Sequence, residues 1–261
     1  PDGLLVVENL HDVGKKKMKP TKALIEPDLV YPLLRGRDIQ RWQAKHSAYI
    51  IMVQDPQKRT GYDEAWLKVQ YPLTYAYLKE FETVLRERSG YKKYFDPQKD
   101  PFYSMYDVAE YTFAPYKVVW PWIATGLTAC VVADWESKLI IPEHNTSFAS
   151  FDDVVEARYL CALLNSTPCD FTIRAYAAGG GGGLASPKSL QIVHIPRFQN
   201  TDTQSRLASL SQRAHELAAQ GKAGEEELHR VEEEIDLKAA ELWGLSKEEL
   251  EEIKRSLVEI S

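Results

Sequence analysis

Asp134, Glu136 and Lys138 are the side chains of this 261-residue sequence whose types and spacing come nearest to a catalytic set. Two carboxylates beside an ammonium could form the hairpin core of a metal-dependent nuclease. The same string also reads as a polar turn between Val131-Val132 and Leu139-Ile140-Ile141, and an Asp-x-Glu-x-Lys pattern arises readily by chance. The five glycines 179–183 invite comparison with a phosphate loop, but no Gly-Lys-Ser/Thr follows them and no GxGxxG opens a helix. No Gly-x-Ser-x-Gly elbow is present, and no cysteine has a His and Asn context that would make it a nucleophile. Cys130, Cys161 and Cys169 form no CxxC pair, and the six histidines form no HxxxH or HExxH, so neither a disulfide framework nor a metal site is expected. No catalytic residue is assigned.

A different chemistry is suggested by a stretch dense in rings and cations. Tyr91, Tyr94, Phe95, Phe102, Tyr103, Tyr106, Tyr111, Phe113, Tyr116, Trp120 and Trp122 are interleaved with Lys92, Lys93, Lys99 and Lys117. Rings stack on bases and ammonium groups bind phosphates, although most of these rings could equally fill a sheet core. The net charge of −6 argues neither way, because it is concentrated at one end. Residues 201–261 hold 8 basic and 15 acidic side chains, which leaves the remainder close to neutral. The longest uncharged run, residues 118–133, is interrupted by Pro121 and Gly126 and is too short for a bilayer, so no membrane association is expected. The first residues lack the pattern of a secretory signal, and the expected setting is cytoplasmic.

The elements that must position these residues follow from periodicity. Residues 1–30, with Lys15, Lys16, Lys17, Lys19 and Lys22, read as an irregular linker. A domain over 31–200 is expected to contain a strand over 48–53 and a helix that starts at Pro72 and runs to Ser89-Gly90. Short strands are expected in 101–142. A capping box of Ser150 with Asp153 should open the next helix, and a last strand should follow the glycine run over 190–195. From Thr201, apolar residues three or four apart predict a helical hairpin turning near Gly221 to Gly224, then a short helix capped by Ser246 and Glu249. The fold class is therefore α+β, with small antiparallel sheets and a C-terminal helical hairpin over 201–261. The apolar stripe of that hairpin, residues 203–243, would also suit a protein-interaction scaffold.

Four ordered strings carry a resemblance. They are Leu33-Leu34-Arg35-Gly36-Arg37-Asp38-Ile39-Gln40-Arg41-Trp42; Pro101-Phe102-Tyr103-Ser104-Met105-Tyr106 with Tyr111-Thr112-Phe113-Ala114-Pro115-Tyr116-Lys117-Val118-Val119-Trp120; Leu163-Leu164-Asn165-Ser166 leading to Ser186-Pro187 and Ile195-Pro196-Arg197-Phe198; and Glu233-Glu234-Ile235-Asp236 with Glu241-Leu242-Trp243-Gly244-Leu245-Ser246. Together they resemble the C-terminal specificity, or target-recognition, domain of TaqI-like N6-adenine DNA methyltransferases and of fused type IIG restriction-modification enzymes. The resemblance implies double-stranded DNA as partner, an N-terminal methyltransferase catalytic domain in the parent chain, and S-adenosylmethionine as cofactor of that parent. No cofactor is expected in this chain, which lacks the Asn-Pro-Pro-Tyr motif and contains no Pro-Pro. Combined with the basic and aromatic stretch, it gives as expected DNA contacts Arg35, Arg37, Arg41, Arg86, Arg88, Lys92, Lys93, Tyr103, Tyr106, Lys117, Ser186 and Lys188. Arg35 and Arg37 are also expected to matter to the fold, because they flank an expected tight turn at Gly36.

Overall fold

The computed structural model describes residues 3–13, 17–122, 124–177 and 190–259. The chain forms two compact units that interleave in sequence: Pro1–Tyr31 with Tyr49–Phe113, and Pro32–Ala48 with Ala114–Ser261. The α+β class with small, mainly antiparallel sheets is borne out.

In the first unit, the segment expected to be irregular contains an antiparallel hairpin, Leu5–Glu8 with Lys22–Ile25. Val7, Ala23 and Ile25 pack on one side of it with Val30 and Tyr77. Pairing across a long loop left no short-range period for the sequence to show. Four short helices follow: α1 (Glu64–Gln70), α2 (Pro72–Glu80), α3 (Glu82–Arg86) and α4 (Ser89–Tyr94). Pro72 does stand at the start of α2, where its missing N–H is no loss. Glu26 closes that end by accepting from the backbone of Leu73 at 3.0 Å and Thr74 at 2.7 Å. The expected single helix breaks at Phe81 and again beyond Arg86. Leu29, Val53, Leu67, Tyr75, Leu78, Phe102 and Tyr103 form the core.

The second unit is built on the strand Tyr116–Pro121, flanked antiparallel by Cys130–Val132 and Thr146–Phe151. Side chains alternate across it. Val118 and Trp120 face the larger core, while Val119 joins Leu34, Ile39, Cys130 and Ile140. Helices α5 (Val154–Leu164), α6 (Thr167–Ala177), α7 (Asp202–Ala218), α8 (Glu225–Trp243) and α9 (Lys247–Glu259) complete the unit. The helical hairpin packs into this unit: Leu207, Leu210 and Ala214 of α7 and Ile235 and Ala239 of α8 share one core with Val118 and Trp120. Its turn depends on Gly224, where a Cβ would lie 2.4 Å from the Leu217 carbonyl oxygen.

Three local expectations change. Residues 101–113 contain no strand, only the 3-10 turn Glu110–Phe113. Ser150 belongs to a strand, so Asp153 alone caps α5 by accepting from Val155 N at 2.8 Å. Residues 191–195 form turn and coil rather than a strand. The box of Ser246 with Glu249 is present, with bonds of 2.7 and 3.2 Å. The glycine run lies outside the described residues.

Candidate nucleic-acid interface

The first unit fastens the Phe102-Tyr103-Ser104 loop from three sides. Gln54 donates to the Tyr103 carbonyl at 3.0 Å and accepts from Met105 N at 2.8 Å. Arg88 donates to the carbonyls of Phe102 at 3.1 Å and Ser104 at 2.9 Å, and burial lowers its pKa. Gly61 N donates to Ser104 Oγ at 2.9 Å. Only glycine allows that approach, since a Cβ at residue 61 would stand 2.7 Å from the Tyr103 ring. Tyr103 is itself interior, with its hydroxyl donating to the Tyr62 carbonyl at 2.6 Å.

This fixed base presents an exposed strip of rings and cations. Tyr106 and Tyr94, 54% and 44% exposed, stack with ring centres 3.6 Å apart and planes inclined by 13°. The Lys93 ammonium lies 4.9 Å from the Tyr94 ring centre, and its hydrogen bond to the Tyr94 hydroxyl lowers the tyrosine pKa and raises its own. Lys92, also exposed on α4, makes no ion pair among the described residues. Asp107 adopts φ 61° directly after Tyr106, and the Tyr111 hydroxyl donates to its carbonyl at 2.6 Å and carboxylate at 2.7 Å. Burial, then that contact with Asp107, raises the Tyr111 pKa, while the nearby Arg59 guanidinium acts in the opposite sense. Lys93, Tyr94 and Tyr106 thus form one exposed strip, and the half-buried Tyr111 lies within electrostatic reach of both Tyr106 and the exposed Arg59. Arg59 escaped the sequence reading because the short ribbon that carries it, Gln54–Asp55 with Thr60–Gly61, has no alternating run. The Asp55-Pro56 turn ahead of it was the available signal.

The remaining expected contacts divide by burial. Arg86 bonds Glu82 at 2.9 Å and the Tyr91 hydroxyl at 3.0 Å, so it braces the helices of the first unit. In the second unit, Arg41 pairs with Glu232 and donates to the Asn165 carbonyl at 2.6 Å. Arg35 is buried and Arg37 is exposed, on a 3-10 turn over Gly36–Asp38. Gly36 needs no special backbone there, as a Cβ would meet only ordinary contacts at 3.5 Å. Lys117 is 1% exposed and donates to the Ala114 carbonyl at 2.8 Å. Tyr103, Arg35 and Lys117 are thus buried, and the half-buried Arg88 commits its donors to backbone carbonyls, so none of the four presents a free side chain at the surface. Ser186 and Lys188 lie outside the described residues.

Several motif residues turn out to be structural. Asn165 exchanges two 2.8 Å bonds with the Ala129 backbone, and Asp236 caps α6 by accepting from Thr167 N at 2.7 Å and Thr167 Oγ1 at 2.6 Å. Asp134 and Glu136 are exposed on a tight hairpin, with Glu136 and Ser137 at φ 49° and 64°. Among the described residues no three His, Cys, Asp or Glu side chains converge as metal ligands. Burial raises the pKa of all three cysteines, that of Cys130 to about 12. They pack as apolar groups rather than react. The strand that leads directly into α5 ends at an N-terminus occupied by the protein's own Asp153 carboxylate, without a glycine turn, which does not fit an S-adenosylmethionine cradle. No described helix is long and apolar enough to cross a membrane.

No family model matches the chain. Its fold recurs in the structure of the Type IIL restriction-modification enzyme MmeI in complex with DNA, with a TM-score of 0.57 at 11% identity, over 88% of this chain and 31% of that one. In sequence it is 28% identical over 143 residues to the Type II methyltransferase M.NspV of a Nostoc species, which amounts to 55% of this chain and 28% of the methyltransferase. The resemblance read from the four strings is borne out. The chain spans less than a third of the length of either relative.

Proposed function

We propose that this chain is the sequence-recognition part of a bacterial N6-adenine DNA methyltransferase, whose methyl transfer from S-adenosylmethionine is performed by a catalytic domain elsewhere in the parent protein. The observation that carries the proposal is the strip of Lys92, Lys93 and Tyr94 on α4 with Tyr106, in which cations and stacked rings stand exposed beside a loop fastened by Gln54, Arg88 and Gly61. Both named relatives support it. A methyltransferase must take its target base out of the duplex, so a second surface has to hold the helix in register. Ammonium groups on phosphates supply that hold, and polar side chains at base edges supply the selection.

Each phosphate contact releases counterions, so affinity for duplex DNA should fall steeply with salt. The double variant Lys92→Ala/Lys93→Ala is expected to bind every sequence more weakly and to flatten the salt slope by roughly 1 to 2 units, about one for each phosphate no longer neutralised. Titration of random duplex at several salt concentrations measures both slopes. Equal slopes for variant and wild type would reject this face as the DNA surface.

A further inference from the structure

We infer that Arg59 is a specificity-determining residue that reads a guanine from the major groove, an inference that rests on the DNA-recognition reading above. Arg59 stands at the turn of the ribbon Gln54–Asp55 with Thr60–Gly61, in a left-handed backbone at φ 57°. This conformation is strained for a residue with a Cβ, and glycine or asparagine would fill it with less strain. The turn is nevertheless held in place: Arg59 N donates to the Asp55 carbonyl at 2.9 Å, and the Asp55 carboxylate accepts from Gln57 N at 3.0 Å and Lys58 N at 3.1 Å. Its base is equally fixed, with Thr60 Oγ1 bonded to Asp100 at 3.0 Å and to Ser104 at 3.0 Å.

Among the described residues the Lys58 charge at this tip has a partner and the Arg59 charge has none. Lys58 lies 3.7 Å from the Asp55 carboxylate, and Arg86 is paired with Glu82. Arg59 is exposed and has no ion-pair partner among the described residues. A two-stranded ribbon is one of the shapes the major groove of B-form DNA admits, and an arginine fork matches the O6 and N7 acceptors of guanine. Pre-organisation favours base reading over a loose phosphate contact, because a bidentate pair needs a fixed approach. Tyr111 lies within electrostatic reach of both Arg59 and Tyr106, so backbone contacts by the Tyr106 and Lys93 strip would set the depth of the ribbon.

Selection from a randomised duplex pool by the full chain tests this, using wild type, Arg59→Lys and Arg59→Gly. Glycine takes φ 57° without strain, so the ribbon is expected to persist, with an unchanged or higher melting temperature. Wild type should enrich a motif with a fixed G·C pair. The glycine variant should lose preference at that one pair by on the order of tenfold or more while random duplex binds within about threefold, and lysine should keep a weaker guanine preference. An unchanged motif in the glycine variant, loss at an A·T pair, or an even loss on all sequences with a shallower salt slope would each overturn the inference. A wild type that binds duplex but enriches no motif would overturn it too, while a wild type that does not bind duplex at all would bring down the recognition reading on which it rests.

Discussion

Replacing Trp42 by alanine is expected to cost about 3 to 5 kcal/mol of unfolding free energy, the range for removal of a large buried ring. The Trp42 side chain is 1% exposed in the main core of the second unit. Its Nε1 donates to Glu232 of α8 at 2.6 Å, and its ring meets His215 of α7 edge-on with centres 5.5 Å apart. His215 in turn accepts from Val131 N at 2.9 Å through Nε2, so ring, helix and sheet are joined in one network. Backbone geometry adds to the dependence: Trp42 sits at φ 66°, a conformation that a bulky residue holds only when its surroundings over-determine it. Trp42→Phe keeps most of the burial and loses the charged hydrogen bond, so a smaller loss of about 1.5 to 3 kcal/mol is expected. Urea unfolding followed by circular dichroism measures both. A loss below about 1 kcal/mol for alanine would mean that the core closes over the missing ring and that the network is not held by it.

The same residue shows why so much of the resemblance was legible and so little of the site. Arg41, Trp42, Asn165 and Asp236 stand in the strings that suggested the family, and all four tie the second unit together. Each bonds to residues more than thirty positions away in sequence, so packing and capping within the fold account for its residue type. Helices α7, α8 and α9 were readable because their apolar residues recur every three or four positions and their caps are local. The Leu5–Glu8 hairpin was not readable, since its partner strand begins fourteen residues beyond its end.

Surface function was hidden for a related reason. Arg88 and Lys92 are four positions apart, and both are cations in a ring-rich stretch. One directs its donors to the carbonyls of Phe102 and Ser104, whereas the other faces solvent. Composition cannot separate them, because the decision depends on which carbonyls the fold leaves open. Tyr103 and Tyr106 differ in the same way: the loop clamped by Gln54 turns the first inward, and the left-handed Asp107 follows the second, which stacks on Tyr94 at the surface.

Lys117 makes that distinction measurable. It lies on the same face of its strand as Val119, and burial lowers its pKa to about 8. An unfolded lysine titrates near 10.4, so the folded state binds the proton less tightly by between two and three pKa units, equivalent to about 3 kcal/mol. Below pH 8 the lysine is protonated in both states, and the cost of burying its charge is fully present. Between about pH 8 and 10.5 the folded protein releases the proton first, and the cost fades. Lys117→Met removes the charge and also the bond to Ala114, which itself contributes about 1 kcal/mol. The methionine variant is therefore expected to be more stable than wild type by about 2 kcal/mol at pH 7 and to lose that advantage by pH 10. Other titrating groups are common to both proteins and cancel in the difference. Denaturant unfolding of the pair at pH 7, 8.5 and 10 gives the curve, and a difference independent of pH would show that the ammonium reaches water. Salt-dependent binding to random duplex supplies the second readout, since an interior lysine neutralises no phosphate and its removal should leave the slope unchanged. A slope flattened by about one unit would return Lys117 to the DNA surface, where its place in a stretch of rings and cations had first suggested it belonged.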